Sequence, residues 1–156
     1  MKTPEQETGG PADPSASMAD APAAKELRIE ARVDRLEEVL NFINRELERR
    51  ACPPEPQDEI NCAAEEIFVN IAKYAYTPAA GTALVSIDGG DEFVIRFEDS
   101  GKPFNPLESP APDLDKPLME RKIGGLGIYL VKKLMDTVNY TRSDGKNVLV
   151  MSKKIK

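Results

Sequence analysis

Two tight turns constrain the fold of this chain more than any other sequence feature. Residues 88–91 (Asp-Gly-Gly-Asp) and the pair Asp144-Gly145 each separate two segments in which apolar residues alternate with polar ones. Turns of this kind join neighbouring strands that run in opposite directions. The flanking segments therefore predict two hairpins, formed by residues 82–87 with 92–98 and by residues 137–142 with 147–153.

Apolar residues at helical spacing predict helices between these strands. Asp34 is placed to cap a first helix, whose apolar face is formed by Leu36, Val39, Leu40, Ile43 and Leu47. A second helix is predicted at about residues 57–75, after three prolines, and a third after the glycines at 124–127. With a short strand near Lys25, this order predicts an α+β fold. We expect a two-layer α/β sandwich with a mixed, mostly antiparallel sheet and the helices on one face.

Composition predicts one ordinary domain with a tail. The chain has 156 residues, of which 40% are hydrophobic and 31% charged. Residues 1–24 are rich in Pro, Ala, Ser, Gly and acidic side chains, so we expect a disordered tail followed by a domain over residues 25–156. The apolar runs are far shorter than the ~20 residues that span a bilayer. Glu5 and Glu7 near the start predict no secretory signal.

Charge and reactive side chains exclude several function classes. A net charge of −6 argues against a nucleic-acid surface. Cys52 and Cys62 are predicted to be free thiols in a reducing cytoplasm. The chain has no histidine, which excludes Ser-His-Asp and Cys-His nucleophile systems and disfavours a zinc site.

The second predicted helix places two polar residues at the edge of its apolar stripe. Glu66 and Asn70 are one turn apart and lie together on that edge, with Lys73 nearby. Glu65 falls toward solvent. Glu66 and Asn70 either face a cleft floored by the sheet or form a solvated helix edge.

The predicted strand that ends near Glu98 is followed by Asp99, Ser100 and Gly101. A carboxylate at Asp99 can accept a hydrogen bond from an exocyclic amine such as that of adenine. Gly101 would let a flat ring approach the backbone. The alternative is an ordinary turn, in which Asp and Gly are also common.

A glycine-rich segment at residues 124–127 (Gly-Gly-Leu-Gly) opens the third helix. Unpaired amides at a helix start attract phosphate, although glycines there also serve packing. No Gly-Lys-Ser/Thr follows, so it is not a Walker loop. The loop before it, at about residues 104–123, exceeds the ~12–15 residues usual for structureless connections and is either a lid or a mobile link. It carries Lys116, Arg121 and Lys122.

In this order, the features resemble the three motif boxes of the GHKL ATPase/kinase superfamily. Residues 65–76 (EEIFVNIAKYAY), 99–106 (DSGKPFNP) and 123–128 (IGGLGI) are similar, more narrowly, to the anti-sigma-factor serine kinase group. The resemblance covers about residues 25–156 and implies a GHKL (Bergerat-like) ATP-binding fold.

The resemblance also implies roles for individual residues. Asn70 matches the asparagine that binds Mg²⁺, Glu66 the proposed general base, and Asp99 the aspartate that recognises the adenine amine. Gly125 and Gly127 match the glycines that close the lid over the phosphates. The full set implied to bind ATP is Asn70, Lys73, Asp99, Gly101, Phe104, Gly124, Gly125, Leu126 and Gly127. The better-known kinases often have histidine where this chain has Tyr74.

The resemblance implies an anti-sigma factor that is also a serine/threonine protein kinase using ATP and Mg²⁺. Its partners would be a sigma factor and an anti-anti-sigma (STAS-type) protein, and members of the group are commonly homodimers. Whether the acceptor hydroxyl belongs to a protein serine or to water stays open. One alternative is a nucleotide-dependent binding module without kinase activity. The catalytic half of a histidine kinase is disfavoured because there is no histidine to modify.

Overall fold

The computed structural model describes residues 25–76, 79–108 and 125–156. The predicted tail at residues 1–24 and most of the predicted lid at residues 104–123 lie outside these ranges. In chain order the elements are β1 (Lys25–Glu30), α1 (Leu36–Arg49), α2 (Pro54–Asn70), β2 (Thr82–Asp88), β3 (Glu92–Asp99), α3 (Gly125–Leu134), β4 (Thr137–Ser143) and β5 (Lys146–Lys154).

The strands form one five-stranded sheet in the order β1-β2-β3-β5-β4. Every strand pair within the described residues is antiparallel, so both predicted hairpins are confirmed. Asp144 and Gly145 have φ angles of 54° and 76°. Positive values at both central residues are typical of the tight hairpin turn that the Asp-Gly pair predicted.

The sheet and the helices form two layers, which confirms the α+β sandwich. Alternate strand residues such as Val85, Ile95 and Met151 are fully buried and pack against apolar residues of α1, α2 and α3 in one core cluster. The opposite face of the sheet carries Ser86, Arg96 and other polar side chains between valines. None of the helices in the described residues is long and apolar enough to cross a bilayer.

The start of α1 differs from the prediction, because Asp34 does not cap the helix. A short 3₁₀ turn (Val33–Arg35) precedes α1, and no side chain caps either. The Asp34 carboxylate instead accepts two hydrogen bonds from the Arg32 guanidinium, at 3.1 and 2.5 Å. The Asp34 carboxylate, which was predicted to cap the helix, is therefore bound by the Arg32 guanidinium instead.

The bounds of α2 also differ from the prediction. The helix begins at Pro54 rather than near residue 57, so that Pro54 and Pro56 lie within its first turn. Proline is tolerated there because the first backbone N–H groups of a helix have no partner within the helix. At its other end, α2 continues into a π-helical segment, Ile71–Ala75.

A buried carboxylate fixes the carboxyl end of α1. Glu46 is 3% exposed and accepts hydrogen bonds from Arg49 at 3.0 Å and from Arg50 at 2.8 Å. The Arg49 guanidinium, together with that of Arg50, holds the pKa of Glu46 at about 2 against the opposing effect of burial. Arg50 also donates to the Gly90 carbonyl and covers the Phe93 ring, which ties α1 to the β2–β3 turn.

We predict that Glu46→Gln lowers the free energy of unfolding at pH 7 by about 2 kcal/mol. The folded-state pKa lies below the unfolded one, so this contribution is present above the unfolded pKa. It should be lost as the pH falls between about 5 and 2. Urea denaturation at several pH values measures the difference. Glu48→Gln, on the exposed side of the same helix, is the control and should change stability by no more than about 0.5 kcal/mol. Equal effects of the two variants would contradict the prediction.

Candidate functional site

A pocket lies between the end of α2 and the sheet. It has a volume of about 430 Å³ including its open mouth. Most of the wall is apolar, and the polar residues in it are Asn70, Asp99, Tyr140 and Asn147. The other lining residues are Ile67, Ile71, Ala75, Phe97, Phe104, Pro106 and Leu149. An apolar cleft with a few convergent polar groups is typical of a small-molecule site.

The pocket brings together Asn70 and Asp99, which are remote in sequence. Asn70 is the last residue of α2 and is half-buried. Asp99 is the last residue of β3 and is 6% exposed. Glu66 is half-buried one turn before Asn70, whereas Glu65 is exposed, as the helical spacing predicted.

Within residues 25–76, 79–108 and 125–156, hydrogen-bond donors reach only one oxygen of the Asp99 carboxylate. Oδ1 accepts hydrogen bonds from the Gly101 backbone N–H and from the Asn147 amide, both at 2.9 Å. Among the described residues, no group donates to Oδ2. Buried acceptors usually have a donor. A carboxylate oxygen without one in a pocket wall is suited to accept an N–H from a ligand.

The close approach at Gly101 has a different cause from the predicted one. A Cβ at this position would overlap the carbonyl of Ala75, the last residue of the π-helical segment. The next residue, Lys102, donates its backbone N–H to the same carbonyl at 3.0 Å. Gly101 is therefore required for packing between the end of α2 and the end of β3, whether or not a ring also approaches it.

Tyr76 strengthens the same junction. Its hydroxyl donates to the Thr82 carbonyl at 2.7 Å and accepts the Ser100 backbone N–H at 2.6 Å. The ring lies where a side chain at Gly81 would stand. Tyr76 thus connects the end of the π-helical segment to the start of β2 and to the residue after Asp99.

Glu66 lies against the first turn of α3. A Cβ at Gly127 would overlap the Glu66 carboxylate, so that glycine is needed for this approach. Burial raises the pKa of the Glu66 carboxyl, and the charge of Glu65 adds to that effect. Hydrogen bonding from Asn70 and the charge of Lys73 oppose it. A carboxylate with a raised pKa is better suited to take a proton than an ordinary one.

The remaining predicted residues differ in whether the structure places them in the pocket wall. Phe104 lines it and is 44% exposed. Lys73 is exposed and acts on Glu66 through its charge. Gly125 and Leu126 begin α3. Gly124, like the three lid cations, lies outside the described residues.

Three residues of the last hairpin belong to the site but were missed in the sequence. Asn147 contacts Asp99, Tyr140 lines the pocket, and Arg142 donates to the Gly101 carbonyl at 2.8 Å. The available signal was weak: an asparagine and a tyrosine in otherwise ordinary strands. Their importance follows from the pairing of β3 with β5, which cannot be inferred from local spacing.

The described residues contain no dedicated metal cluster. Across residues 25–76, 79–108 and 125–156, no three His, Cys, Asp or Glu side chains come together as a metal site. Mg²⁺ often takes most of its ligands from phosphates and water and needs only one or two protein oxygens. The side-chain oxygen of Asn70, at the pocket wall, is of the required kind.

Sequence comparisons connect these features to known proteins. A family profile described as the histidine kinase-like ATPase domain matches residues 29–153. Serine/threonine-protein kinase BtrW of Bordetella bronchiseptica is 28% identical over 95 residues, covering 60% of this chain and 67% of the relative. Serine-protein kinase RsbW of Halalkalibacterium halodurans is 33% identical over 100 residues, covering 62% and 61%. The chain thus spans about three fifths to two thirds of the length of these curated relatives.

A solved structure shows the same fold. The crystal structure of the RsbU and RsbW domains of a Mycobacterium tuberculosis protein superposes on this chain with a TM-score of 0.61. The match covers 85% of this chain and 32% of the other, at 12% sequence identity. At that identity, the likeness establishes the two-layer fold and no more.

We predict that Gly101→Ala destabilises the protein by about 2 kcal/mol, because the added Cβ meets backbone that cannot move aside cheaply. The matched control is Gly90→Ala, where an added Cβ has no neighbour within 4 Å. That variant should change stability by no more than about 0.5 kcal/mol. Thermal or urea denaturation measures both. If Gly101→Ala were as stable as Gly90→Ala, the packing explanation for Gly101 would be wrong.

Proposed function

The chain belongs to the histidine kinase-like ATPase domain family, and we propose that it binds ATP with Mg²⁺ and transfers the γ-phosphate to a protein serine. The observation that carries this proposal is one pocket whose wall contains both the Asn70 amide and the buried Asp99 carboxylate. In the proposed reaction, these groups contact opposite ends of the nucleotide.

Asp99 would hold the base. Its unoccupied Oδ2 accepts the exocyclic amine of adenine, while Oδ1 stays bonded to Gly101 and Asn147. Guanine presents a carbonyl oxygen at the equivalent ring position, and two acceptors facing each other repel. The apolar side chains of Ile71 and Phe97 in the pocket wall suit the faces of a purine.

Asn70 would hold the metal at the phosphate end. Its side-chain oxygen supplies one ligand, and bound Mg²⁺ neutralises charge on the phosphates. The first turn of α3, whose first backbone N–H groups have no partner within the helix, lies beside Glu66. By the resemblance of its motifs, Gly125 and Gly127 of that turn would close over the phosphates.

Glu66 would act as the general base. Phosphoryl transfer depends mainly on positioning and charge neutralisation, so the base orients the acceptor hydroxyl and takes its proton. Burial and the neighbouring Glu65 raise the pKa of the Glu66 carboxyl, which favours proton uptake. Its contact with Gly127 keeps it at the start of α3.

The relatives suggest the biological role. Two of them are named as serine or serine/threonine protein kinases. By this relationship and the resemblance of its motifs, the chain would act as an anti-sigma factor. It would bind a sigma factor and phosphorylate an anti-anti-sigma (STAS-type) protein, in the cytoplasm and as a homodimer.

We predict that ATP with Mg²⁺, at 100 times its dissociation constant, adds about 2.7 kcal/mol to the stability of the protein. Asp99→Asn should remove most of that gain, because an amide nitrogen facing adenine cannot accept its amine. Asp91→Asn, in the exposed turn before β3, should keep the gain. Thermal melts with and without ATP measure all three proteins. If ATP leaves the melting temperature of the unmodified protein unchanged, the nucleotide proposal is wrong.

We also predict that Glu66→Gln lowers phosphate transfer at least about a hundredfold while ATP binding is retained, since only proton uptake is lost. Glu55→Gln makes the same chemical change at an exposed position in the first turn of α2 and should transfer phosphate normally. Labelled ATP with a STAS-type partner, followed by mapping of the labelled serine, measures transfer. ATP binding without label on any partner, by the unmodified protein, would favour a nucleotide-dependent binding module over a kinase.

A further inference from the structure

We infer that Asn147 is a positioning residue of the nucleotide site: it holds Asp99 and the residues after it in their binding geometry without touching the ligand. This inference rests on the proposed function, since it concerns how the adenine contact is held. Asn147 is the second residue of β5, lines the pocket and is 7% exposed.

The Asn147 amide uses its full hydrogen-bonding capacity within the protein. Its nitrogen donates to Asp99 Oδ1 at 2.9 Å and to the Lys102 carbonyl at 2.8 Å. Its oxygen accepts the Phe104 backbone N–H at 3.2 Å and the Tyr140 hydroxyl. A carboxamide has two N–H donors and one acceptor oxygen with two lone pairs. Asn147 therefore has no group left for a ligand.

The partners of Asn147 define two walls of the pocket. The bond to Asp99 occupies Oδ1 and leaves Oδ2 as the acceptor for the proposed ligand. The bonds to Lys102 and Phe104 fix the backbone that carries the Phe104 side chain into the pocket wall. One amide thus sets both the polar contact and an apolar wall.

The sheet register explains why asparagine suits this position. Asp99 and Asn147 are directly opposite each other on the paired strands β3 and β5. An amide opposite a carboxylate donates a hydrogen bond to it without adding a charge to the pair. A carboxylate at position 147 would place two like charges at hydrogen-bond distance, so that the pair would take up a proton as the pH falls.

The test is Asn147→Asp, which keeps the size and shape of the side chain. At pH 8 both carboxylates are charged, and ATP should bind at least about tenfold more weakly than to the unmodified protein. At pH 5 a proton shared by the two carboxylates restores the missing donor. The ratio of the variant's dissociation constant for ATP to that of the unmodified protein should then fall to within about threefold. Among the described residues, the charged or titratable side chains that contact Asn147 or its immediate partners are Asp99 on β3 and Tyr140 and Arg142 on β4. Glu98 and Lys146 form an ion pair and directly precede Asp99 and Asn147 on their strands. Side chains of adjacent strand residues point to opposite faces, so this pair lies on the other face of the sheet.

Asn139→Asp is the matched control. It makes the same change in charge at an exposed position on β4, whose partner Val150 belongs to the opposite face of the sheet. Its affinity ratio to the unmodified protein should be about one at both pH values. Comparing each variant with the unmodified protein at the same pH cancels the titration of ATP itself. The chain also has no histidine to titrate in this range.

A ratio for Asn147→Asp that is the same at pH 5 and pH 8 would overturn the inference, because a purely structural defect would not respond to a shared proton. If the unmodified protein binds ATP, that result leaves the proposed function intact. If the unmodified protein does not bind ATP at all, both fail.

A second variant decides the matter should Asn147→Asp fail to fold. Tyr140→Phe keeps the ring in the pocket wall and removes the hydroxyl that holds the Asn147 oxygen. We expect the KM for ATP to rise about threefold or more, with kcat at saturating ATP unchanged, because the adenine contact is made equally in the ground and transition states. An unchanged KM, or a loss confined to kcat, would overturn the inference.

Discussion

The site depends on one junction, where the end of α2 meets the end of β3. The Ala75 carbonyl accepts the Lys102 N–H, the Gly101 backbone lies against that carbonyl, and the Tyr76 hydroxyl bonds to Ser100. Neither element alone would form a binding site, because a helix edge and a strand end are common features of any surface. Held together at this junction, they give a cleft with Asn70 on one wall and Asp99 on another. The π-helical segment Ile71–Ala75 lies between these residues, and such irregular turns are frequent at functional sites.

Two carboxylates serve the proposed reaction, and their surroundings suit them to different tasks. Asp99 is buried and two hydrogen bonds hold one of its oxygens in place, so that the other oxygen can act as a fixed acceptor. Glu66 is half-buried beside another acidic residue, and both effects raise the pKa of its carboxyl. Both groups are carboxylates, so the difference between a hydrogen-bond acceptor and a proton-accepting base does not come from the type of side chain. It requires different partners, which the fold supplies.

The sequence was most informative where structure is local. The Asp-Gly turns predicted both hairpins, and the helical spacing placed Glu66 and Asn70 on one edge of α2. Prediction from the sequence failed where a residue's main contact depends on geometry that local spacing does not give. Asp34 pairs with Arg32 instead of capping α1. The role of Asn147 was invisible because its partner Asp99 is 48 residues away and becomes a neighbour only when β5 pairs with β3. The approach of a ligand ring to Gly101 stays a prediction, but the packing of Gly101 against the Ala75 carbonyl was not indicated by the sequence pattern.

The floor of the pocket is also part of the hydrophobic core. Ile67, Phe97 and Leu149 line the pocket and belong to the buried cluster that joins the helices to the sheet. A bound purine would therefore complete the interior of the protein, as an additional side chain would. Substituted side chains at these three positions would have to pack both against the neighbouring side chains of the core and against the bound ring. If the proposed site is correct, a change in the interior at these positions would also change the shape of the surface offered to the ligand.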